Sequence, residues 1–279
     1  MPEGPEIYSN AIEVYNYLYN STLHKIKILS GKYKKHKFTG YQYLNKILPS
    51  NILSISTYGK LIIIQLENNF YILISFGMTG YLTHDSIANN RVEFILDHNS
   101  LYFNDQRNFG HIYIYDSESL NNKLKKFGPD ILNDKTDIKL FKSQFNLFLD
   151  RYPNQEIGLL LINQKFIAGI GNYIRADILW FSRISPHRKL KDLSNYDINK
   201  LFYFCYNVPR YYASVQISIP EKLYKGLKKT NLKYKLKYTP NLFNRYFMIY
   251  GEDNDIFDNP IIKEKFYGRS IHWVKKLQV

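Results

Sequence analysis

Apolar residues at Ile7, Ala11, Val14 and Leu18 recur at helical spacing behind a start that carries Pro2 and Pro5. The spacing predicts an opening helix with one buried face. From residue 61 the period changes. Residues 61–66 (LIIIQL) and 70–75 (FYILIS) flank a short Glu-Asn-Asn turn, and 92–96, 101–103 and 111–115 add three shorter β-rich runs. Together they predict an antiparallel β-sandwich ending near residue 127. The stretch 128–136 (GPDILNDKT) gathers Gly, Pro, Asn and Asp and reads as a linker.

The second half is patterned as helix. Ser194 with Asp197 three residues on forms a capping-box signature ahead of Ile198, Leu201, Phe202, Cys205 and Val208, an apolar stripe. An earlier helix, starting from Gly169-Ile170-Gly171-Asn172, carries Ile170, Ile174, Ile178 and Phe181 on one face, and the two helices are expected to pack as a pair. The fold class is therefore α+β, with an N-terminal domain over 1–127, a linker over 128–136 and a helical domain over 137–279.

Composition narrows the partner. With 279 residues and 45% hydrophobic content the chain can build real cores. Thirty-eight Lys and Arg against 24 Asp and Glu leave a net charge of +14, the balance of a protein that meets phosphates or an anionic surface. A membrane role needs a long apolar span or a basic amphipathic anchor, yet the longest apolar runs, such as Leu61 to Ile64, are strand-sized. Pro2, Glu3, Pro5 and Glu6 stand where a signal peptide has its basic and apolar regions. A soluble protein of a reducing intracellular compartment is expected, with no membrane contact. The single cysteine, Cys205, allows neither an internal disulfide nor a four-cysteine zinc site, and no metal or cofactor is expected.

The first six residues, MPEGPE, carry the chemistry. Removal of Met1 before a small residue exposes Pro2 as a secondary amine, able to attack an anomeric carbon and form an iminium directly. An α-amino group also loses its proton well below a lysine side chain, so it is more often neutral and nucleophilic. Glu3, beside it, can act as the general acid that opens a deoxyribose, with Glu6 one helical turn away as an orienting partner. The same segment also reads as an ordinary helix start, with Pro5 in the first turn and Glu3 and Glu6 facing the helix dipole. On composition alone that second reading leads.

Further motifs reverse the order. MPEGPE resembles the endonuclease VIII branch of the formamidopyrimidine-DNA glycosylase and endonuclease VIII family, and other family blocks follow in order across most of the chain. Gly59-Lys60-Leu61 resembles the block whose lysine contacts phosphate beside the N-terminal amine; alone, Lys60 would read as a solvated lysine at a strand start. Phe76-Gly77-Met78-Thr79-Gly80 resembles the loop carrying the first of three void-filling residues, although Met78 also suits a core gap. Asp105-Gln106-Arg107-Asn108-Phe109-Gly110 resembles the second such loop, where the family commonly has Asp-Pro-Arg-Arg-Phe-Gly. Arg107 and Phe109 survive, while the proline and the second arginine do not. An enzyme that extrudes a base must fill the hole it leaves: the resemblance makes Met78 and Phe109 wedges and Arg107 a partner for the orphaned base. Residues 163–180 (NQKFIAGIGNYIRADILW) resemble the helix-two-turn-helix block, in which the exposed N–H groups of the helix start and the Asn172 amide would hold a DNA phosphate. Asn172 as a helix cap after a glycine turn is the alternative.

The C-terminus departs from the family pattern. Most members hold a β-hairpin finger with two Cys-x-x-Cys zinc pairs, and here the finger, about 242–279, keeps Tyr250-Gly251, Pro260-Ile261, Gly268-Arg269-Ser270 and Gln278. In register with those landmarks, Asn254, Phe257, Val274 and Leu277 stand in place of the cysteines. The chain thus resembles zincless-finger, endonuclease VIII-like members such as those of animals and giant DNA viruses. Phe257, Val274 and Leu277 are expected to form an apolar cluster instead of a metal site, and Arg269 to enter DNA, unless it is a rim arginine. The Lys-rich segment 222–237 contains no acidic residue and reads as a solvated loop, a phosphate-tracking patch or a lesion-capping loop.

The resemblance implies a monomeric base-excision repair enzyme acting on damaged DNA. It would remove oxidised bases, pyrimidines above all, through a Pro2 Schiff base and cut the strand by β,δ-elimination. A catalytically silent damage-binding protein is the alternative, and retention of the whole amine, carboxylate and lysine set argues against it.

Overall fold

The computed structural model describes residues 1–216 and 247–279; the Lys-rich segment 222–237 lies outside the described residues. Two compact units divide the chain. The first takes Met1–Pro2 and Glu6–Lys126, and the second takes Glu3–Pro5 and the described residues from Phe127 onward.

The opening helix is α1 (Gly4–Leu18), and in it Ile7, Ala11, Val14 and Leu18 are all buried as the spacing requires. The strands of the first unit are β1 (Thr22–Leu23), β2 (Lys25–Ile28), β3 (Ser50–Tyr58), β4 (Leu61–Leu66), β5 (Phe70–Ser75), β6 (Tyr81–Thr83), β7 (Asn90–Ile95), β8 (Ser100–Asn104) and β9 (His111–Asp116). They form a five-stranded sheet, β1-β3-β4-β5-β9, and a four-stranded sheet, β2-β7-β8-β6, in which every strand pair is antiparallel. Alternate residues such as Val92 and Phe94, Leu101 and Phe103, and Ile112 and Ile114 are buried, the period-two pattern of strands with one core face. Leu61 to Ile64 are buried without alternation, so β4 is covered on both faces. The first unit ends in a helix, α3 after the short α2 (Leu44–Ile47), over Ser117–Leu124. The strand-only expectation for this end missed it; its start is set by Asp116, whose side chain accepts from Ser119 N at 2.8 Å.

The second unit is helical, with α4 (Ile138–Arg151), α5 (Ile157–Leu161), α6 (Asn172–Ser182) and α7 (Asn195–Gln216). It closes with a hairpin of β10 (Ile262–Phe266) and β11 (Arg269–Trp273). The capping box at α7 is present: Ser194 Oγ donates to Asp197 at 2.8 Å, and Asp197 N returns a bond to Ser194 Oγ at 3.2 Å. The pairing of α6 with α7 is carried by the Phe181–Phe204 stack, with centroids 5.4 Å apart. Ile170 is buried but precedes α6, which begins at Asn172.

The segment 128–136 is not a linker. Gly128 N donates to Gln164 O at 2.8 Å, Ala168 N to Pro129 O at 2.8 Å and Ile131 N to Ala168 O at 3.1 Å, and Ile131 and Leu132 are buried. Its turn residues bend the chain through the interior of the second unit, where the backbone groups find partners in 164–168.

An apolar cluster packs the hairpin region against α6. Val274 is buried in a cluster with Ala176, Trp180, Met248, Ile249 and Ile261, and Leu277 packs against it. Phe257 does not join this cluster. It is 59% exposed and lies stacked against Trp180 with centroids 6.0 Å apart, because a polar centre occupies its loop. Buried Asp255 accepts from Phe257 N and Asn259 N at 2.9 Å each and from Trp180 Nε1 at 3.0 Å. Burial alone would raise the Asp255 carboxyl, but the Asn259 N–H, the Trp180 indole and the remaining donors hold it below its ordinary range. Gln278, buried, ties the end of the chain down by accepting from Val274 N at 2.6 Å and donating to Ile184 O at 3.0 Å. Among the described residues no group of three or more His, Cys, Asp or Glu is arranged to hold a metal ion, and no helix is long and apolar enough to cross a membrane.

Candidate active site and nucleic-acid interface

Two groups of side chains emerge, one in each unit. In the second unit Glu3 is 1% exposed, and its carboxylate accepts from Gly171 N at 2.6 Å, Tyr173 N at 3.2 Å and Ile174 N at 3.4 Å. These are the orphan donors of the first turn of α6, aligned with the positive end of the helix dipole. Glu3 therefore occupies the helix start that the sequence reading left open for a DNA phosphate, which corrects that expectation. The Asn172 side chain stands at the same turn, at the first position of α6.

Asn172 is itself oriented by a residue the sequence reading passed over. Arg175, fully buried on α6, donates through Nη2 to Asn172 Oδ1 at 3.3 Å and to Ser270 O at 3.0 Å, and through Nη1 to Gly158 O at 3.1 Å. Its guanidinium also lies 5.5 Å from the Phe266 ring centroid. Burial pushes the Arg175 guanidinium down to about 10, while the charge of Glu3 opposes the shift and that of Arg269 adds to it. Glu3, Asn172 and Arg269 are thus gathered round one buried arginine. Arg269 is exposed at the first position of β11, beyond a two-residue turn in which Tyr267 and Gly268 both have positive φ, 48° and 76°. Such a turn matches the twist of a hairpin. The signal for Arg175 was a charged residue amid Tyr173, Ile174, Ala176 and Ile178, in a helix that is buried nearly all round.

A second overlooked charge, Asp177, is fully buried and accepts from the Tyr212 hydroxyl and from Met248 N and Ile249 N at 3.1 Å each. It fastens α6 to α7 and to the segment leading into the hairpin. Burial raises its carboxyl to about 6, against the lowering effect of the Tyr212 hydroxyl and of three backbone N–H groups.

The first unit holds Pro2, Glu6 and Lys60 in separate elements. Pro2 is half-buried ahead of α1, Glu6 lies in the first turn of α1, and Lys60 is the second residue of the two-residue β3–β4 turn, after Gly59 with φ 57°. The same unit does bring Met78, Arg107 and Phe109 together. Met78 is 39% exposed, Phe109 51% exposed, and the Arg107 guanidinium sits 5.1 Å from the Phe109 ring centroid. Their loops are close enough that a Cβ on Gly77 would stand 2.6 Å from Phe109 C. Large side chains exposed at the tips of rigidly held loops are unusual for a core role, so Met78 is not a core gap-filler.

Comparison with known proteins gives one consistent result. A family profile described as the formamidopyrimidine-DNA glycosylase N-terminal domain matches residues 1–112, and one described as the formamidopyrimidine-DNA glycosylase H2TH domain matches residues 127–208. The formamidopyrimidine-DNA glycosylase of Rickettsia bellii is 26% identical over 290 residues, covering 100% of this chain and 99% of its own. Endonuclease 8 of Salmonella arizonae is 37% identical over 87 residues, 31% of this chain and 32% of its own. Among solved structures, Lactococcus lactis formamidopyrimidine-DNA glycosylase bound non-covalently to AP-site DNA superposes with a TM-score of 0.79 at 20% identity, covering 99% of both chains.

Proposed function

The chain belongs to the formamidopyrimidine-DNA glycosylase family, and on that premise we propose that it is a bifunctional DNA glycosylase and AP lyase whose nucleophile is the amine of Pro2. The observation that carries this reading is Glu3, a carboxylate fixed by three N–H donors of α6 one residue from that amine. With Met1 removed, the Pro2 nitrogen attacks C1′ of the damaged nucleoside, the C1′–N bond to the base breaks as the base takes up a proton, and cleavage of C1′–O4′ then opens the ring to an iminium. Glu3 offsets the new positive charge and relays the proton that ring opening places on O4′. Glu6 orients the segment through α1, and Lys60 meets a phosphate flanking the lesion. Loss of the C2′ proton then expels the 3′ phosphate, and a second elimination expels the 5′ phosphate, leaving a gap phosphorylated at both ends. Met78, Phe109 and Arg107 fill the vacated stack and engage the unpaired base, while Asn172 and Arg269 hold the backbone.

The finer placement is in the endonuclease VIII branch, with oxidised pyrimidines as main substrates and a finger that works without zinc. MPEGPE, the Asn-Tyr-Ile-Arg-Ala-Asp-Ile-Leu-Trp block and the Asp255-centred loop support it.

Borohydride trapping on abasic-site DNA tests the mechanism. The mature chain should give a covalent protein–DNA adduct, and a chain with a blocked N-terminus should give none while still binding the same DNA. Adduct formation by the blocked protein, or an intact abasic strand as the only product, would reject the Schiff-base reading.

A further inference from the structure

Strand β7 carries one residue more than its partner. Asn90 pairs with Asn104 and Val92 with Phe103, which leaves Arg91 as the extra residue of a bulge. A bulge re-aims the side chain it carries. Here the Arg91 guanidinium lies against the backbone of the loop that bears Arg107 and Phe109. Its Nε donates to Asp105 O at 2.8 Å, Nη2 to Gln106 O at 3.1 Å and to Asn89 Oδ1 at 3.1 Å, and Nη1 to Ser30 Oγ at 3.0 Å. Four of the five guanidinium N–H groups are thereby used.

The loop is locked from its other side by Asp105, which is 1% exposed. Its two carboxylate oxygens divide between the loops: Oδ1 accepts from Thr79 Oγ1 at 2.9 Å, and Oδ2 from Gly110 N at 2.7 Å. Thr79 Oγ1 in turn accepts from Arg107 N at 3.1 Å. The Tyr33 hydroxyl adds a bond to Gly110 O at 3.3 Å. The packing leaves no slack, since a Cβ on Gly31 would stand 2.9 Å from Arg91 Cδ and 2.7 Å from Asn108 Oδ1.

We infer that Arg91, through the bulge in β7 and together with the Asp105–Thr79 link, is a positioning residue that fixes the exposed tips of Met78, Arg107 and Phe109 as one rigid wedge. The inference rests on the wedge role assigned to these three residues above. An intercalating side chain must push against a stacked base pair, and a loop free to retreat would yield before the base does. A half-buried guanidinium fork, making charge-assisted bonds to two successive loop carbonyls at once, resists that retreat better than single neutral bonds would. Lysine has no such fork, so the role is specific to arginine.

Two measurements on the full chain test it. In the free protein, hydrogen exchange of the segments 76–80 and 105–110 should accelerate by about ten-fold or more in Arg91→Ala, the loss of one or two charge-assisted bonds, and Arg91→Lys should not restore protection. Unchanged exchange in those segments would overturn the inference whatever the activity of the protein. On duplex DNA, Arg91→Ala should slow lesion excision about ten-fold in the wild-type background but less than about two-fold in Phe109→Ala, because both changes remove the same wedge. Effects that multiply would overturn it, since they would mean that Arg91 acts by another route. If Arg91→Ala melts too low to assay, Thr79→Val carries the same cycle, removing the hydroxyl that joins Asp105 to Arg107 N. A parent chain that gives no imine with abasic DNA would count against the proposed function, and the exchange result would still decide the positioning role.

Discussion

Gly171 has ordinary extended backbone angles, φ −131° and ψ −153°, which any residue adopts; its lack of a side chain serves space and not conformation. A Cβ there would collide with Cδ and Oε1 of the Glu3 carboxylate. Gly171→Ala should therefore expel Glu3 from the α6 N-terminus and lower the rate of imine trapping by about ten-fold or more, the weight of one or two hydrogen bonds to a charged group, while abasic-site binding persists. Trapping kinetics against a binding titration check this, and equal loss of both would show that the glycine serves only the fold. At this scale the sequence was partly legible. Pro2, Glu3 and Asn172 stood out by motif, but the N–H groups of residues 171, 173 and 174 looked open to a phosphate because nothing local reveals that a carboxylate 168 positions before Gly171 fills them.

Elements were legible where their period was regular. The hairpin of β4 and β5, the apolar stripe of α1 and the capped start of α7 follow from spacing alone. Helix α4 escaped because its buried pair, Phe141 and Phe145, is a single helical repeat among polar neighbours, and segment 128–136 was misread because its turn residues serve an internal bend. Charged residues inside helices were the hardest to place, since burial of Arg175 and Asp177 depends on partners from distant segments. Asp177 has a consequence for stability. Its ordinary carboxyl value, 3.8, is raised to about 6 in the folded chain. Between those values the folded chain keeps a proton that the unfolded chain has released, so stability falls as pH rises through this window, and the full cost is present above it. Thermal melts from about pH 4 to pH 7 should show the wild type losing stability relative to Asp177→Asn across that range. Parallel curves would remove Asp177 as the titrating group.

For the molecule as a whole, the net charge of +14 makes salt the most informative variable. Log affinity for duplex DNA should fall linearly with log salt, by ~0.9 for each phosphate contact. Arg269→Ala should reduce the slope by about 0.9, whereas Phe109→Ala should weaken lesion binding and leave the slope unaltered. Equal slopes for wild type and Arg269→Ala would place Arg269 off the DNA backbone. This separation of backbone contacts from the wedge and from the amine also has a genetic side. Every glycine codon is one base change from alanine, so on the proposed mechanism a single mutation at position 171 would leave a protein that still occupies damage but processes it about ten-fold more slowly. Such an allele would not be silent in a cell that still carries a working copy: its slow product would sit on lesions and shield them from the active enzyme. Loss of chemistry at this position would then act dominantly, where loss of the fold would be recessive.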